Sequence, residues 1–267
     1  MTGETDAARV QARGVLDRLE RGELRAAEPS ADGNWQVNER VKQAILDVFR
    51  LSHDVNLPAG VFAFRDRDLL IPPANRASPC RVVPGGTIIR RGAYVAGDVV
   101  VMPPAYINVG AYVDAGSMID SHALVGSCAQ IGRRVHVSAA AQVGGVLEPV
   151  AACPVIIEDD CFIGGNCGIY EGVRVRSRAV LAAGVVLSAS TALFDLVHEC
   201  EIRATLGILE IPAGAVVVPG YRPIAGGFGA GCGLGLSAAI IVKYRDDRTD
   251  ARTSIEHALR RSRDAPS

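Results

Sequence analysis

Aromatic side chains are scarce in this chain, and their scarcity argues against one class of protein. Phe, Trp and Tyr make up only 5% of the 267 residues, and there is a single Trp. Proteins that bind single-stranded nucleic acid stack successive bases on aromatic side chains, which this composition does not favour. An excess of one charge is also missing, since the formal net charge is -1. We therefore predict no electrostatic attraction to nucleic acid or to an anionic membrane.

Long apolar runs are missing as well. No stretch approaches the length that crosses a bilayer, and the first residues are charged and lack the apolar segment of a secretory signal. The seven cysteines have no CxxC spacing, and the histidines have no metal-ligand spacing with one another or with the cysteines. We predict a cytoplasmic protein with free thiols and no metal, with neither a nucleic-acid nor a membrane partner.

What the chain does have is an aliphatic residue at every sixth position. The first series runs from Val83 to Val143, and after a break a second series resumes two residues out of phase. A period of six matches neither a helix nor a simple strand, and at this length it indicates a stacked hexapeptide repeat. The members are Val83, Ile89, Val95, Val101, Ile107, Val113, Ile119, Val125, Ile131, Val137 and Val143, then Ile157, Ile163, Ile169, Val175, Leu181, Leu187 and Leu193.

A small residue follows most of these aliphatics four positions later. This pattern suits a triangular coil, in which a large side chain fills the centre of each flat face and a small one lies near each corner. We therefore predict a mainly β fold, a parallel β-helix whose outward side chains carry the function. Cys161 and Cys167 fall at the small position, so we expect them to pack in the wall rather than to react.

The segment before the repeat is predicted to form a separate small domain. Residues 1–78 lack the six-residue period, and they suit two amphipathic helices. The first contains Val10 and Leu19 and ends near Gly22, and the second begins after Asn38, which can cap it. A proline-bearing connection is expected between these helices and the repeat.

The repeat itself is assigned to residues 79–222, with a loop ejected at Glu148–Pro154. Residues 223–267 are interpreted as a short C-terminal extension. It begins with the Gly-rich run 226–233, continues as a strand at 238–242 and ends in a helix at about 249–262.

Several segments of the repeat resemble one enzyme family, the tetrahydrodipicolinate N-succinyltransferases, which use succinyl-CoA in lysine and diaminopimelate synthesis. The resemblance covers nearly the whole chain. It implies a left-handed helix, although most parallel crossovers are right-handed, and a homotrimer with acyl-CoA bound between neighbouring prisms and no permanently bound cofactor. The segments are Arg81–Pro84, Arg90–Ala93, Asn108–Asp114, Gly126–Gly132, Gly144–Pro149, Ile157–Asp159 with Cys161–Gly164, and Pro212–Gly214 with Val216–Val218.

The resemblance also implies roles for individual residues. Arg81 matches the arginine that binds a substrate carboxylate, and its planar fork suits that partner. Asp120 matches the acidic residue that contacts the acceptor and takes its proton, because an amine must lose a proton as it is acylated. Apart from the resemblance, Arg222 and Lys243 flank the Gly-rich run and suit either a CoA phosphate or a solvated position, and Ala183 and Gly184 are placed with them in the cofactor-binding set.

One departure from the family pattern matters more than any match. Gly168 stands where the family has its second catalytic carboxylate, and Asn166 replaces an adjacent arginine. His122 replaces a bulky aromatic residue two positions after Asp120, and we expect both to point outward from one strand face. A carboxylate neighbour would fix the tautomer of such a histidine, so His122 is a candidate replacement base. His136 is interpreted as structural.

Three functions stay open on the sequence alone. The first is succinyl transfer from succinyl-CoA to the amine of ring-opened tetrahydrodipicolinate. The second is acylation of another amino acid by a diverged member, with acetyl-CoA as an alternative donor, as in relatives that serve secondary metabolism such as tabtoxin biosynthesis. The third is a non-catalytic trimeric scaffold, which Arg81 and Asp120 argue against because a scaffold needs no outward site residues.

Overall fold

The computed structural model describes residues 2–59, 62–73, 78 and 80–246. Its centre is a parallel β-helix of stacked triangular coils, in which most strands pair with the strand 18 residues further along, as Tyr94 does with Tyr112. Parallel pairing and the hexapeptide period confirm the predicted fold class. The left-handed sense stays a prediction from the family resemblance.

Each coil contributes one short strand to each of three flat faces. Face 1 consists of β7 (Tyr94–Val95), β10 (Tyr112–Val113), β13 (Gln130–Ile131), β16 (Ile156–Ile157), β19 (Val173–Val175) and β24 (Leu209–Ile211). Face 2 consists of β5 (Arg81–Val82), β8 (Val100–Val101), β11 (Met118–Ile119), β14 (His136–Val137), β17 (Phe162–Ile163), β20 (Val180–Leu181) and β25 (Ala215–Pro223). Face 3 consists of β6 (Ile88–Ile89), β9 (Tyr106–Ile107), β12 (Leu124–Val125), β15 (Gln142–Val143), β18 (Gly168–Ile169) and β21 (Val186–Leu187).

The aliphatic series fills the interior, as predicted, except at its first member. From Val95 onward each member is buried, whereas the inward residue of β5 is Val82, which pairs with Val101. The assignment of Val83 to the core is therefore wrong. Gly85 and Gly86, both with positive φ, lie in the longer corner that absorbs the extra residue.

The corners share one backbone conformation. The third residue after each inward aliphatic has a positive φ at most corners, for example 74° at Gly110 and 62° at His122. Glycine adopts this region without steric cost, and Asn and Asp tolerate it better than other residues. The members are Gly92, Gly110, Gly116, His122, Cys128, Arg134, Ala140, Asp160, Asn166, Gly172, Arg178, Gly184 and Gly214.

The small position lies inside each corner, as predicted. Ala123 and Ala129 are buried there, and so are Cys161 and Cys167. The Sγ atoms of these two cysteines lie 3.1 Å from the carbonyl oxygens of Arg176 and Ala182 respectively. Burial raises the pKa of both thiols, which keeps them protonated and unreactive.

One loop leaves the prism between β15 and β16, where the sequence predicted it. The buried Lys42 anchors it by donating hydrogen bonds to the carbonyl oxygens of Ala152, at 2.7 Å, and Pro149, at 3.1 Å. Burial lowers the pKa of the Lys42 ammonium. The loop is therefore tied to the N-terminal helices and does not extend freely into solvent.

The N-terminal part contains the two predicted helices. They are α1 (Thr2–Glu20) and α2 (Glu39–Leu51), and the side chain of Asn38 accepts a hydrogen bond from the Val41 amide at the start of α2. An antiparallel pair, β1 (Ala27–Pro29) and β2 (Trp35–Val37), lies between them. A second pair, β3 (Asp54–Ala59) and β4 (Phe62–Arg67), followed by a 3-10 turn at Asp68–Leu70, replaces part of the expected proline-bearing connection.

This N-terminal part packs on the prism. Leu16 and Ile45 share a buried cluster with Val109 and Cys128 of the prism corners. On face 1, Arg25 donates to the Gln130 side chain at 3.0 Å, and its guanidinium carbon lies 3.7 Å from the centre of the Tyr112 ring. Face 1 is therefore covered within the chain itself.

The C-terminal part extends β25 into a long hairpin. β26 (Gly235–Tyr244) pairs antiparallel with β25, and β22 (Ala192–Asp195) and β23 (Cys200–Ile202) continue the same sheet. The Gly-rich run forms the hairpin end with a short helix, α3 (Gly227–Gly231). The predicted boundary at residue 222 falls inside β25, and the predicted terminal helix at 249–262 lies outside the described residues. None of the described helices is long and apolar enough to span a membrane.

Candidate functional site

The edge between faces 2 and 3, called the 2–3 edge below, gathers most of the predicted site residues. The corners 121–122, 139–140, 165–166 and 183–184 stack along it. Their backbones are joined by hydrogen bonds from Ala140 to Ser121, from Asn166 to Ala139 and from Gly184 to Gly165. Asp120 lies directly before the lowest of these four corners.

Asp120 is held by its own turn and by one neighbour. Its Oδ1 accepts a hydrogen bond from the Ser121 amide at 2.7 Å, and its Oδ2 lies 3.6 Å from Nε2 of His136. His136 is buried, and its ring meets the Phe162 ring edge-on at 5.0 Å between centres. About a quarter of the Asp120 side chain remains exposed (27%), so the carboxylate can still meet a ligand.

The prediction that Asp120 and His122 share a strand face is wrong. β11 ends at Ile119, and His122 lies beyond it at the left-handed corner position, with its side chain exposed. The structure brings both residues to the 2–3 edge, but the imidazole near the carboxylate is that of His136. The sequence predicts a structural role for His136. Its Nε2 also faces the candidate base Asp120, so it belongs to the surroundings of the site.

Gly168 also lies on this edge, and the Tyr170 ring lies beside it. A Cβ atom built there would lie 2.7 Å from Cε2 of Tyr170 and 3.0 Å from its hydroxyl oxygen. The space that a side chain at position 168 would enter is therefore taken by the Tyr170 ring. Sequence reasoning missed this because it treated position 168 without its neighbour two residues later.

Arg81 is not in contact with Asp120. It lies on β5, two strands below Met118 on face 2, which corresponds to about 10 Å at the spacing of paired strands. Its side chain is exposed and has no ion-pair partner among the described residues. Arg81 is thus available to an anionic ligand on the outside of face 2.

The four residues assigned to the acyl-CoA cosubstrate do not form one cluster. Ala183 and Gly184 are exposed at the top of the 2–3 edge, and Pro219 of β25 lies near Gly184. Arg222 is exposed far along the hairpin, opposite Leu236, whereas Lys243 lies near its base, opposite Val216, and pairs with Asp246 at 2.8 Å. About six residues of strand separate the two cations, roughly 20 Å.

One sequence signal could have identified His136 as the neighbour of Asp120. Strands pair at an interval of 18 residues, so Met118 lies beside His136 on face 2. Asp120 leaves that face two residues after Met118, close to the outward side of His136. Reading the sequence at the 18-residue interval of one coil, rather than one hexapeptide at a time, therefore predicts that Asp120 and His136 are neighbours.

Two family profiles match the chain. One, described as the N-terminal part of tetrahydrodipicolinate N-succinyltransferase, matches residues 2–51, and one described as the hexapeptide repeat of succinyl-transferase matches residues 154–189.

Curated relatives agree over nearly the whole length of the chain. A 2,3,4,5-tetrahydropyridine-2,6-dicarboxylate N-succinyltransferase of Nitrobacter winogradskyi is 46% identical and covers 97% of this chain and 91% of the relative. Enzymes of the same name from Afipia carboxidovorans and Azoarcus sp. are 45% and 47% identical, each over 92% of this chain and over 88% and 87% of the relatives. The predicted resemblance is thus confirmed, and the chain belongs to the tetrahydrodipicolinate N-succinyltransferase family of hexapeptide-repeat acyltransferases.

Proposed function

We propose that this acyltransferase moves a succinyl group from succinyl-CoA to the amine of an amino-dicarboxylate, the ring-opened form of tetrahydropyridine-2,6-dicarboxylate. The observation that carries the proposal is the Asp120 carboxylate, held by the Ser121 amide at the 2–3 edge with part of its surface open. The curated relatives carry the name of this activity.

The reaction needs one proton acceptor. The amine nitrogen attacks the thioester carbonyl carbon, a C–N bond forms and the C–S bond breaks. The proton that the nitrogen sheds passes to the Asp120 carboxylate and then to the departing sulfur, which leaves as the CoA thiol. A positioned base of this kind contributes about 10²–10⁴-fold to the rate.

His122 is retained as a second candidate proton acceptor. It lies on the same edge as Asp120, is exposed and has no hydrogen-bond partner for its ring among the described residues. Arg81 is assigned to an acceptor carboxylate. Ala183, Gly184, Arg222 and Lys243 are assigned to acyl-CoA along the upper edge and the hairpin.

The exposed apolar faces support a homotrimer in which the site lies between chains. Face 1 is covered by the N-terminal part, whereas faces 2 and 3 present apolar outward side chains, and Ile88 and Val186 on face 3 are 51% and 55% exposed. Apolar patches of this kind mark contact surfaces, and copies around a three-fold axis would place the 2–3 edge in a groove between chains. All seven cysteines are free, which fits a cytoplasmic enzyme.

The test offers candidate amines to the purified protein with succinyl-CoA and acetyl-CoA in parallel and reads the products by mass spectrometry. We expect a succinylated amino-dicarboxylate, with 2-aminoheptanedioate as the stable analogue of the ring-opened acceptor. Acetylated products alone would support the diverged-member alternative, which the glycine at position 168 favours. If neither donor yields an acylated product, both acyl-transfer functions are contradicted and the non-catalytic scaffold is the function that remains.

A further inference from the structure

The ring of Tyr170 lies against two glycines. Besides Gly168, it contacts Gly144, which directly follows β15 on the neighbouring coil, and a Cβ atom there would lie 3.3 Å from Cδ1 of Tyr170. A Cβ at Gly168 would lie 2.7 Å from the ring, closer than real side chains approach. A side chain at position 168 would therefore require the Tyr170 ring to move from this position.

The phenol is placed beside the 2–3 edge. Gly168 begins β18 directly after the corner Gly165–Asn166, which lies two coils above the corner of His122, about 10 Å at the usual strand spacing. The Tyr170 ring reaches back over Gly168 toward this edge. The residue is 38% exposed, and its hydroxyl has no hydrogen-bond partner among the described residues.

Two of the outward side chains near the phenol are neutral amides, and the exposed Glu171 follows Tyr170 in the chain. Gln142 lies beside Gly168 on the neighbouring strand, and Asn166 occupies the corner before it. A neutral hydroxyl donates a hydrogen bond to an anionic oxygen, whereas a carboxylate in the same place would repel it. The phenol and the two amides therefore offer hydrogen-bond donors to the oxygen atoms of a ligand at this part of the edge.

We infer that Tyr170 contacts the acyl acceptor, with its ring as one wall of the groove and its hydroxyl donating a hydrogen bond to a carboxylate or carbonyl oxygen of the acceptor. This inference rests on the proposed function and specifies the acceptor that the function takes. The acceptor is an anionic amino acid whose amine is directed to Asp120 and whose oxygen atoms meet Tyr170.

The first experiment compares Tyr170→Phe with the parent, using succinyl-CoA and 2-aminoheptanedioate. Losing a hydrogen bond to a charged group lowers kcat/KM for the acceptor about 10- to 100-fold, mainly through KM. The KM for succinyl-CoA and the melting temperature stay at parent values. The matched control is Tyr94→Phe, which removes a hydroxyl from face 1, where the Tyr94 ring stacks on Tyr112 at 4.4 Å, and keeps parent kinetics.

Tyr170→Phe kinetics within about twofold of the parent, or an equal loss of succinyl-CoA affinity, would overturn the inference. If the parent transfers no acyl group, the proposed function fails by itself. Calorimetric binding of 2-aminoheptanedioate in the presence of free CoA then tests the contact directly. At least tenfold weaker binding by Tyr170→Phe supports the contact, and equal or absent binding by both proteins rejects it.

Discussion

The Asp120 carboxylate and the His136 imidazole face each other across neighbouring strands of face 2, with Oδ2 3.6 Å from Nε2. The pairing of Met118 with His136 produces this arrangement. The buried ring of His136 is further held by Phe162, so it offers Asp120 a rigid neighbour. The candidate base is therefore held by a backbone amide on one side and flanked by an imidazole on the other.

Asp120→Asn tests the base with little change of shape. Asparagine retains an oxygen for the Ser121 amide but cannot take a proton, so we expect turnover to fall about 10²–10⁴-fold while acyl-CoA binding persists. The control is Asp114→Asn on face 1, whose Oδ1 accepts the Ala115 amide in the same way at 2.7 Å. Turnover of Asp120→Asn within about threefold of the parent would remove Asp120 from the mechanism.

His122→Gly tests the second candidate base without backbone strain. The φ of 62° at His122 suits glycine, whereas alanine would cost about 1 kcal/mol or more there. We expect turnover to fall at least about tenfold with a melting temperature no lower than that of the parent, measured by steady-state kinetics and calorimetry. An unchanged rate would leave Asp120 as the proton acceptor and would give His122 a structural role in the corner only.

The periodic part of the fold could be predicted because each hexapeptide repeats the same packing problem. The errors came where the period changes. One extra residue near Gly85 shifted the first inward residue from Val83 to Val82. The β3–β4 pair and the β25–β26 hairpin carry no repeat signal, and their strands are set by pairing with distant or adjacent segments rather than by a local pattern.

The site was predictable only in part for a related reason. The family resemblance identified Asp120 and the loss of a side chain at Gly168 from aligned residues. The resemblance did not identify the residues that lie next to Asp120 and Gly168 once the coils are stacked. His136 is close to Asp120 only through the 18-residue interval, and Tyr170 fills the space at Gly168 only because its ring turns back along the strand.

Asp195 gives a prediction for stability at acid pH. Its buried carboxylate accepts hydrogen bonds from the Tyr244 hydroxyl at 2.6 Å and from Nδ1 of His198 at 2.7 Å. Burial alone would raise the pKa of Asp195, but these bonds and backbone amides lower it to about 2. A carboxyl with a lowered pKa stabilises the folded state above its unfolded pKa of about 4, and the effect is lost as the pH falls through about 2.

We therefore expect Asp195→Asn to destabilise the protein by about 2 kcal/mol at neutral pH. The difference from the parent should shrink between about pH 4 and pH 2, as followed by chemical unfolding at one fixed protein concentration. A difference that is the same at pH 7 and at pH 2 would contradict the role of the carboxylate charge.

Lys42→Met tests the anchor of the ejected loop. Removing the ammonium leaves the carbonyl oxygen of Ala152 without this donor and that of Pro149 with only the Ala152 amide, and we expect a loss of about 1–3 kcal/mol. The control is Lys243→Met, the only other lysine of the chain, whose exposed ion pair with Asp246 contributes less than about 1 kcal/mol. Equal melting temperatures for the two variants, or no faster proteolysis within the loop of Lys42→Met, would contradict the anchor.

Val186→Asp tests the assembly. Val186 lies on face 3 and is 55% exposed in the single chain, and a charge buried between copies without a partner is strongly unfavourable. We expect the parent to sediment at three times its 28.0 kDa chain mass at micromolar concentration, and Val186→Asp to dissociate toward the single chain and to lose transfer activity. The control is Val10→Asp on the outer side of α1, where Val10 is 65% exposed, and it should remain a trimer with parent activity. A parent that sediments as one chain, or an active monomeric Val186→Asp, would mean that the groove needs only one copy and that the apolar residues of face 3 serve another partner.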